Sequence, residues 1–89
     1  MIERDLTISN KLGLHARAAA KVVSVASRYS CAIEVMHGER RIDAKSIMGL
    51  LTLGAAKGTE LRVRVDGDDE APAMDELTDL FERKFDEGE

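Results

Sequence analysis

Aromatic side chains are scarce in this sequence. Its 89 residues include two phenylalanines, one tyrosine and no tryptophan. Proteins that bind single-stranded nucleic acid commonly stack bases on aromatic side chains, so the composition disfavours a partner of that class. The hydrophobic core must instead be built from isoleucine, leucine, valine, methionine and alanine.

An excess of positive charge is also missing. The chain has 13 lysine and arginine residues against 17 aspartate and glutamate residues, which gives a net charge of −4 at pH 7. A surface that binds nucleic acid is usually basic. The charge balance therefore argues, together with the scarcity of aromatics, against a nucleic-acid partner.

Cysteine is rare and long apolar runs are absent. Cys31 is the one cysteine, so no intramolecular disulfide can form, which fits a reducing compartment. The charged start from Met1 to Asp5 lacks an apolar signal core, and no stretch approaches the about 20 apolar residues of a membrane helix. The two histidines and Cys31 lack the close ligand pairs of structural zinc sites. We expect a cytoplasmic protein with no membrane insertion and no metal.

The spacing of apolar residues predicts four strands and three helices in the order βαββαβα. Two-residue alternation predicts strands, which we place at residues 2–8, 32–36, 40–43 and 61–65. Three- and four-residue spacing predicts helices, which we place at residues 16–28, at residues 47–53, and from Pro72 through Phe85. These elements suit a two-layer α+β sandwich, and the chain length suits a single domain over residues 1–89.

The segment Gly13-Leu14-His15-Ala16-Arg17 places a histidine directly before a predicted helix. The first N–H groups of a helix have no partner inside it, and the helix dipole adds positive charge there, so this end attracts anions. A neutral imidazole nitrogen can attack phosphorus, and the fork of Arg17 suits phosphate oxygens. The motif predicts a phosphoryl group carried on His15 and stabilised by Arg17. The alternative is that both are ordinary surface residues, because short motifs often match by chance.

A second segment, Lys45-Ser46-Ile47-Met48-Gly49-Leu50, opens the short second helix. Serine is a preferred N-cap residue, so Ser46 is predicted to cap this helix. A helix of about seven residues cannot bury every side, so we expect Ile47 and Met48 at the surface. Ile47, Met48 and Leu51 form an apolar cluster on this helix; some of the three must pack in the core, although methionine is common at surfaces that bind several partners.

The two segments together resemble the HPr family, the phosphocarriers of the bacterial phosphoenolpyruvate-dependent sugar phosphotransferase system. The resemblance covers essentially the whole chain. It implies an open-faced sandwich whose four-stranded antiparallel sheet carries all three helices on one face. It also implies that His15 is phosphorylated on the ring nitrogen nearer the backbone by enzyme I. The phosphoryl group would then pass to a histidine of an enzyme IIA domain, with no metal or cofactor on the carrier.

The same resemblance implies further roles, and the chain departs from the family's commonest pattern at one position. Ser46 would be a regulatory phosphorylation site if the cell has an HPr kinase/phosphorylase. The second helix, with Ile47, Met48 and Leu51, would be the docking surface of a monomer. The protein would be a stoichiometric phosphotransfer partner rather than an independent catalyst. Ala18 stands where the commonest family pattern has proline, which restores a backbone donor and gives up some rigidity.

Two other functions remain open from the sequence. The chain could be a regulatory interaction module whose phosphorylation at His15 or Ser46 controls partners without moving sugar. It could also be a domain that binds a metabolite phosphate at the helix start. That last function calls for a concave pocket, and the sequence suggests no aromatic or polar lining for one.

Overall fold

The computed structural model describes residues 1–88 and contains one four-stranded sheet. The strands are β1 (Ile2–Thr7), β2 (Ala32–His37), β3 (Arg40–Asp43) and β4 (Glu60–Asp66). They lie in the order β1-β4-β2-β3, and each neighbouring pair is antiparallel. The order places β4, the last strand in the chain, between β1 and β2.

The helices are α1 (Ala16–Ala26), α2 (Ile47–Leu51) and α3 (Glu70–Glu82). They lie on one face of the sheet, so the predicted open-faced α+β sandwich is confirmed. The buried side chains of α1 and α3 recur at the three- and four-residue spacing of an amphipathic helix. They are Ala18, Ala19, Val22, Val25, Ala26, Ala73, Met74, Leu77, Leu80 and Phe81.

Strand β4 shows why the helices share one face. Leu61, Val63 and Val65 point into the core and are at most 1 % exposed. Arg62 and Arg64 alternate with them and point to solvent, because successive side chains of a strand face opposite ways. Across the outer face these arginines pair with acidic residues of β1, with Arg62 Nε 3.0 Å from Asp5 Oδ1 and Arg64 Nε 2.8 Å from Glu3 Oε2. A charged outer face leaves only the inner face for helix packing.

Two helices end earlier than the sequence predicted. Helix α1 stops at Ala26 rather than Arg28, and α2 stops at Leu51 rather than Leu53. In both cases the residues after the helix form 3₁₀-type hydrogen bonds, in which an N–H donates to the carbonyl three residues earlier. The Arg28 N–H donates to the Val25 carbonyl (3.1 Å), and the Leu53 N–H donates to the Leu50 carbonyl (3.2 Å). Such bonds satisfy the last carbonyls of a helix while the chain turns toward the next strand.

The prediction that the last helix continues through Phe85 is wrong. Helix α3 ends at Glu82, and Lys84, Phe85 and Asp86 form a turn with φ of 56°, 54° and 65°. The spacing correctly indicated that Phe85 is buried: the residue is 0 % exposed, and its ring lies 4.9 Å from that of Phe81 in an edge-on arrangement. A left-handed backbone costs about 1–2 kcal/mol per residue, so burial of the Phe85 ring must offset it.

Across residues 1–88, each helix is too short or too polar to cross a lipid bilayer.

Candidate functional site

His15 is the N-cap residue of α1, with an extended backbone at φ −84° and ψ −178°. The loop before it is fixed against the segment that follows α2, where Leu14 N–H donates to the Ala55 carbonyl at 2.8 Å. Gly13 makes this approach possible. Its φ is +73°, and a Cβ atom there would lie 2.6 Å from the Ala55 oxygen. Only glycine tolerates both conditions, so the glycine of the motif sets the position of the histidine.

The two ring nitrogens of His15 have different partners. Nδ1 accepts the backbone N–H of Arg17 at 3.4 Å, at the start of α1. Nε2 contacts the Oε2 atom of Glu87. A backbone N–H can only donate and a carboxylate can only accept, so these partners leave Nδ1 unprotonated and place the proton on Nε2. The histidine side chain is 29 % exposed, which leaves the ring accessible from solvent.

Glu87 is itself held by Asn10. The Nδ2 atom of Asn10 donates to Glu87 Oε1 at 2.8 Å and to the Gly13 carbonyl at 2.7 Å. Asn10 is 0 % exposed, and the Glu87 side chain is 12 % exposed. The hydrogen bond from Asn10 lowers the pKa of Glu87 below its usual value, as do the contact with His15 and the positive charge of Arg17. The carboxylate is therefore charged at neutral pH.

Cationic side chains line an open groove of about 760 Å³ beside His15. Arg17 is exposed, and among residues 1–88 it makes no ion pair within 4.0 Å. Lys21 donates to the Phe85 carbonyl at 2.9 Å and lies 3.3 Å from Asp86 Oδ2. Lys11 completes the basic lining. The sequence analysis expected no concave pocket with a polar lining, and the groove shows that this expectation was wrong. The pocket could not be foreseen because Asp86 and Glu87 reach α1 only in the folded chain.

Ser46 is the N-cap residue of α2, as predicted. Its Oγ atom accepts the N–H of Gly49 at 3.1 Å. The hydroxyl group thus satisfies one of the free donors at the helix start. Ala18, at the position of the family's usual proline, is the third residue of α1 and is fully buried.

Helix α2 exposes most of its apolar side chains. Ile47, Met48 and Leu51 are 38 %, 69 % and 36 % exposed, while Leu50 is buried in the core. The surface placement predicted for Ile47 and Met48 therefore agrees with the structure. Leu12, in the loop before His15, is 68 % exposed as well. We call Ile47, Met48 and Leu51, which share α2, the apolar patch.

The structure thus brings His15 and Arg17 together at the start of α1 and leaves Ser46 at the start of a separate helix that packs against α1. Sequence reasoning missed Glu87, Lys21 and the role of Asn10. Nothing in the local pattern marks Glu87, which lies 72 residues from its histidine partner. Within the described part of the chain, residues 1–88, no group of three or more metal-binding side chains is placed to hold an ion.

Comparison with known proteins places this geometry in a family. Residues 2–83 match the family model described as "PTS HPr component phosphorylation site". The chain is 49 % identical over 87 residues to phosphocarrier protein HPr of Xylella fastidiosa, covering 98 % of each chain. It is 50 % identical over 86 residues to phosphocarrier protein HPr of Pseudomonas aeruginosa, covering 96 % of each.

A solved structure agrees with these relatives. The crystal structure of HPr-C-His from Thermoanaerobacter tengcongensis superposes with a TM-score of 0.94 at 45 % identity, covering 98 % of each chain. The match spans both layers of the fold and the segments that carry His15 and Ser46. The chain belongs to the HPr family, the phosphocarriers of the bacterial phosphotransferase system.

Proposed function

We propose that His15 accepts a phosphoryl group from enzyme I and passes it to an enzyme IIA domain. The observation that carries this proposal is the orientation of the imidazole, whose Nδ1 atom lies at the start of α1 and accepts the N–H of Arg17. Nδ1 has one lone pair, so the Arg17 N–H leaves Nδ1 as that lone pair attacks phosphorus, and the N–H can then donate to a phosphoryl oxygen. The free N–H groups and the dipole of the helix then stabilise the phosphoryl oxygens. The proposed transfer needs no metal or cofactor on this chain.

The test is phosphorylation with labelled phosphoenolpyruvate and purified enzyme I. We expect one label per chain, dependent on enzyme I, lost in acid and retained in base, because a phosphohistidine P–N bond is acid-labile. The label should then move to a IIA domain. Reversible binding of inorganic phosphate or nucleotide without covalent label would support the metabolite-binding function instead. A stable label that no IIA domain removes would support a regulatory module.

The apolar patch is the proposed docking surface for enzyme I and IIA domains. Its three side chains lie on α2, which packs against α1, and each is at least 36 % exposed. A carrier must release each partner quickly, which calls for a small interface. The outer face of the sheet is covered by ion pairs rather than by apolar side chains, which supports action as a monomer.

Arg17 is the proposed stabiliser of the phosphoryl group. Hydrogen bonds to charged groups contribute about 1.5–3 kcal/mol, so Arg17→Ala should slow transfer to a IIA domain by about tenfold or more. Arg17→Lys should give an intermediate rate, because lysine keeps the charge and loses the planar fork. Rapid-quench measurement of label transfer provides the rates.

Arg41 supplies a matched control, since it is exposed on β3, lies 3.9 Å from Glu34 Oε2 through its Nε atom, and does not line the groove beside His15. Arg41→Ala should transfer phosphate at the wild-type rate. Equal rates for wild type, Arg17→Ala and Arg17→Lys would mean that Arg17 is only a surface charge.

Ser46 is the proposed regulatory site, modified by an HPr kinase/phosphorylase in cells that contain one. Ser46→Asp should weaken the apparent affinity for enzyme I several-fold, because it adds negative charge beside the apolar patch. It should leave stability nearly unchanged, because aspartate is also a good N-cap. Ser46→Ala should do the reverse: it should keep the affinity and lose about 1 kcal/mol of stability.

Titration with enzyme I measures the apparent affinity of wild type and both Ser46 variants, and urea unfolding measures their stability. Identical apparent affinities for wild type and Ser46→Asp would reduce Ser46 to a helix cap without a regulatory role.

A further inference from the structure

We infer that Glu87 is a positioning residue for phosphoryl transfer, acting through the Nε2 atom of His15. This inference rests on the proposed function and adds a residue from the C-terminal segment to the site. Glu87 contacts the ring on the side opposite the nitrogen that faces α1. Together with the Arg17 N–H on Nδ1, it keeps the proton on Nε2 and leaves the lone pair on Nδ1, at the helix start.

The first support is the chain of hydrogen bonds behind the carboxylate. Asn10 is fully buried and uses its amide nitrogen twice, on the Gly13 carbonyl at 2.7 Å and on Glu87 Oε1 at 2.8 Å. Both acceptor atoms of Glu87 are thus engaged, one by the loop that carries the histidine and one by the histidine itself. Because both oxygens of Glu87 are held, the carboxylate has a fixed orientation and can orient the imidazole ring of His15. A carboxylate held by one contact alone would rotate more freely.

The second support is the way the C-terminal turn delivers Glu87. The turn keeps three consecutive residues at positive φ, and its central residue, Phe85, is buried in the core. Lys21 of α1 donates to the Phe85 carbonyl at 2.9 Å, and Arg83 Nε donates to Asp86 Oδ1 at 2.7 Å. The segment is anchored on α1 and on the core directly before Glu87, so the carboxylate has a defined place.

The chemistry of transfer uses this contact in two ways. As the Nδ1–P bond forms, the bond between phosphorus and the donor breaks, and its electron pair leaves with the donor. The proton stays on Nε2, so positive charge develops on the imidazole ring of His15. A carboxylate hydrogen-bonded to that N–H stabilises the charge. Glu87 thus raises the share of reactive tautomer before attack and stabilises the ring during attack, without touching the phosphoryl group.

The test compares Glu87→Ala and Glu87→Gln with Glu82→Gln. The control removes one negative charge from an exposed position at the end of α3. Nitrogen NMR spectra of His15, at a pH where the ring is neutral, report the tautomer in unphosphorylated protein. Single-turnover labelling by enzyme I reports the rate, and melting curves report folding.

In wild type and Glu82→Gln we expect the proton predominantly on Nε2. Glu87→Ala should raise the share of protons on Nδ1, because only the long contact from the Arg17 N–H at 3.4 Å then opposes it. It should also slow phosphorylation by about tenfold, which corresponds to about 1.4 kcal/mol. Glu87→Gln should keep only part of the tautomer preference, because its single carbonyl oxygen can accept from either Nε2–H or the Asn10 amide, whereas the two oxygens of Glu87 accept from both. It should lose rate, because its charge is gone.

A spectrum and a rate for Glu87→Ala equal to those of Glu82→Gln would overturn the inference. Its failure is distinguishable from failure of the proposed function. If wild-type protein takes no label from enzyme I, the carrier role is wrong, and the tautomer measurement still decides whether Glu87 positions His15. If wild-type protein is labelled and the tautomer does not respond to Glu87→Ala, the carrier role stands and the positioning role is rejected.

Discussion

His15→Ala should take up no phosphoryl group from enzyme I and should still fold. The substitution removes both ring nitrogens, so no atom remains to form the P–N bond. The backbone hydrogen bonds of residue 15 survive, from its own N–H to the Gly13 carbonyl at 3.0 Å and from Ala19 N–H to its carbonyl at 2.8 Å. Loss of an N-cap acceptor costs about 1 kcal/mol, which a melting curve measured beside the labelling assay should show.

His37→Ala is the matched control, because His37 is exposed at the turn between β2 and β3 and lies away from the groove. It should be labelled at the wild-type rate. Undiminished, acid-labile label on His15→Ala would place the phosphoryl group elsewhere and reject the site.

Phe85→Ala should have the largest effect on stability, with a loss of about 3–5 kcal/mol in the free energy of unfolding, typical of a buried phenylalanine truncated to alanine. Phe85 is fully buried, and its ring packs edge-on against Phe81. Without that ring, little offsets the left-handed backbone around it. The turn should then loosen, and Glu87 should lose its place at His15. Phosphorylation should slow by an amount similar to that of Glu87→Ala.

Urea unfolding gives the free energy, and single-turnover labelling in the absence of urea gives the rate. Phe85→Leu keeps an apolar side chain in the same site, so it should lose less stability and retain more of the rate. If Phe85→Ala unfolds at the same urea concentration as Phe85→Leu, the C-terminal turn does not depend on this ring.

The elements that the sequence predicted well are those whose pattern is local. Strand β4 alternates Leu61, Val63 and Val65 with charged residues, and every one of the three faces the core. His15 and Arg17 are two residues apart, so they meet at one end of one helix wherever that helix lies. Ser46 needs only Gly49, three residues later, to act as a cap.

The errors lie where distant segments decide the backbone. The spacing from Met74 to Phe85 continues a helical period, and burial follows it, but the chain leaves the helix at Glu82. The three- and four-residue period predicts which side chains face the core. It does not predict whether the backbone at those positions is helical. Here the non-helical turn is stabilised by a hydrogen bond from Lys21 of α1, which local spacing cannot indicate.

The sequence alone determined the order of elements, the inner and outer faces of the sheet, and a histidine at a helix start with an arginine beside it. Each of these follows from residues within a few positions of one another. Tertiary structure alone decided the end of α3, the burial of Asn10 and the contact between His15 and Glu87, which lie 72 residues apart. A contact at that separation leaves no periodic trace in the chain, because it exists only once the core has brought the two segments together.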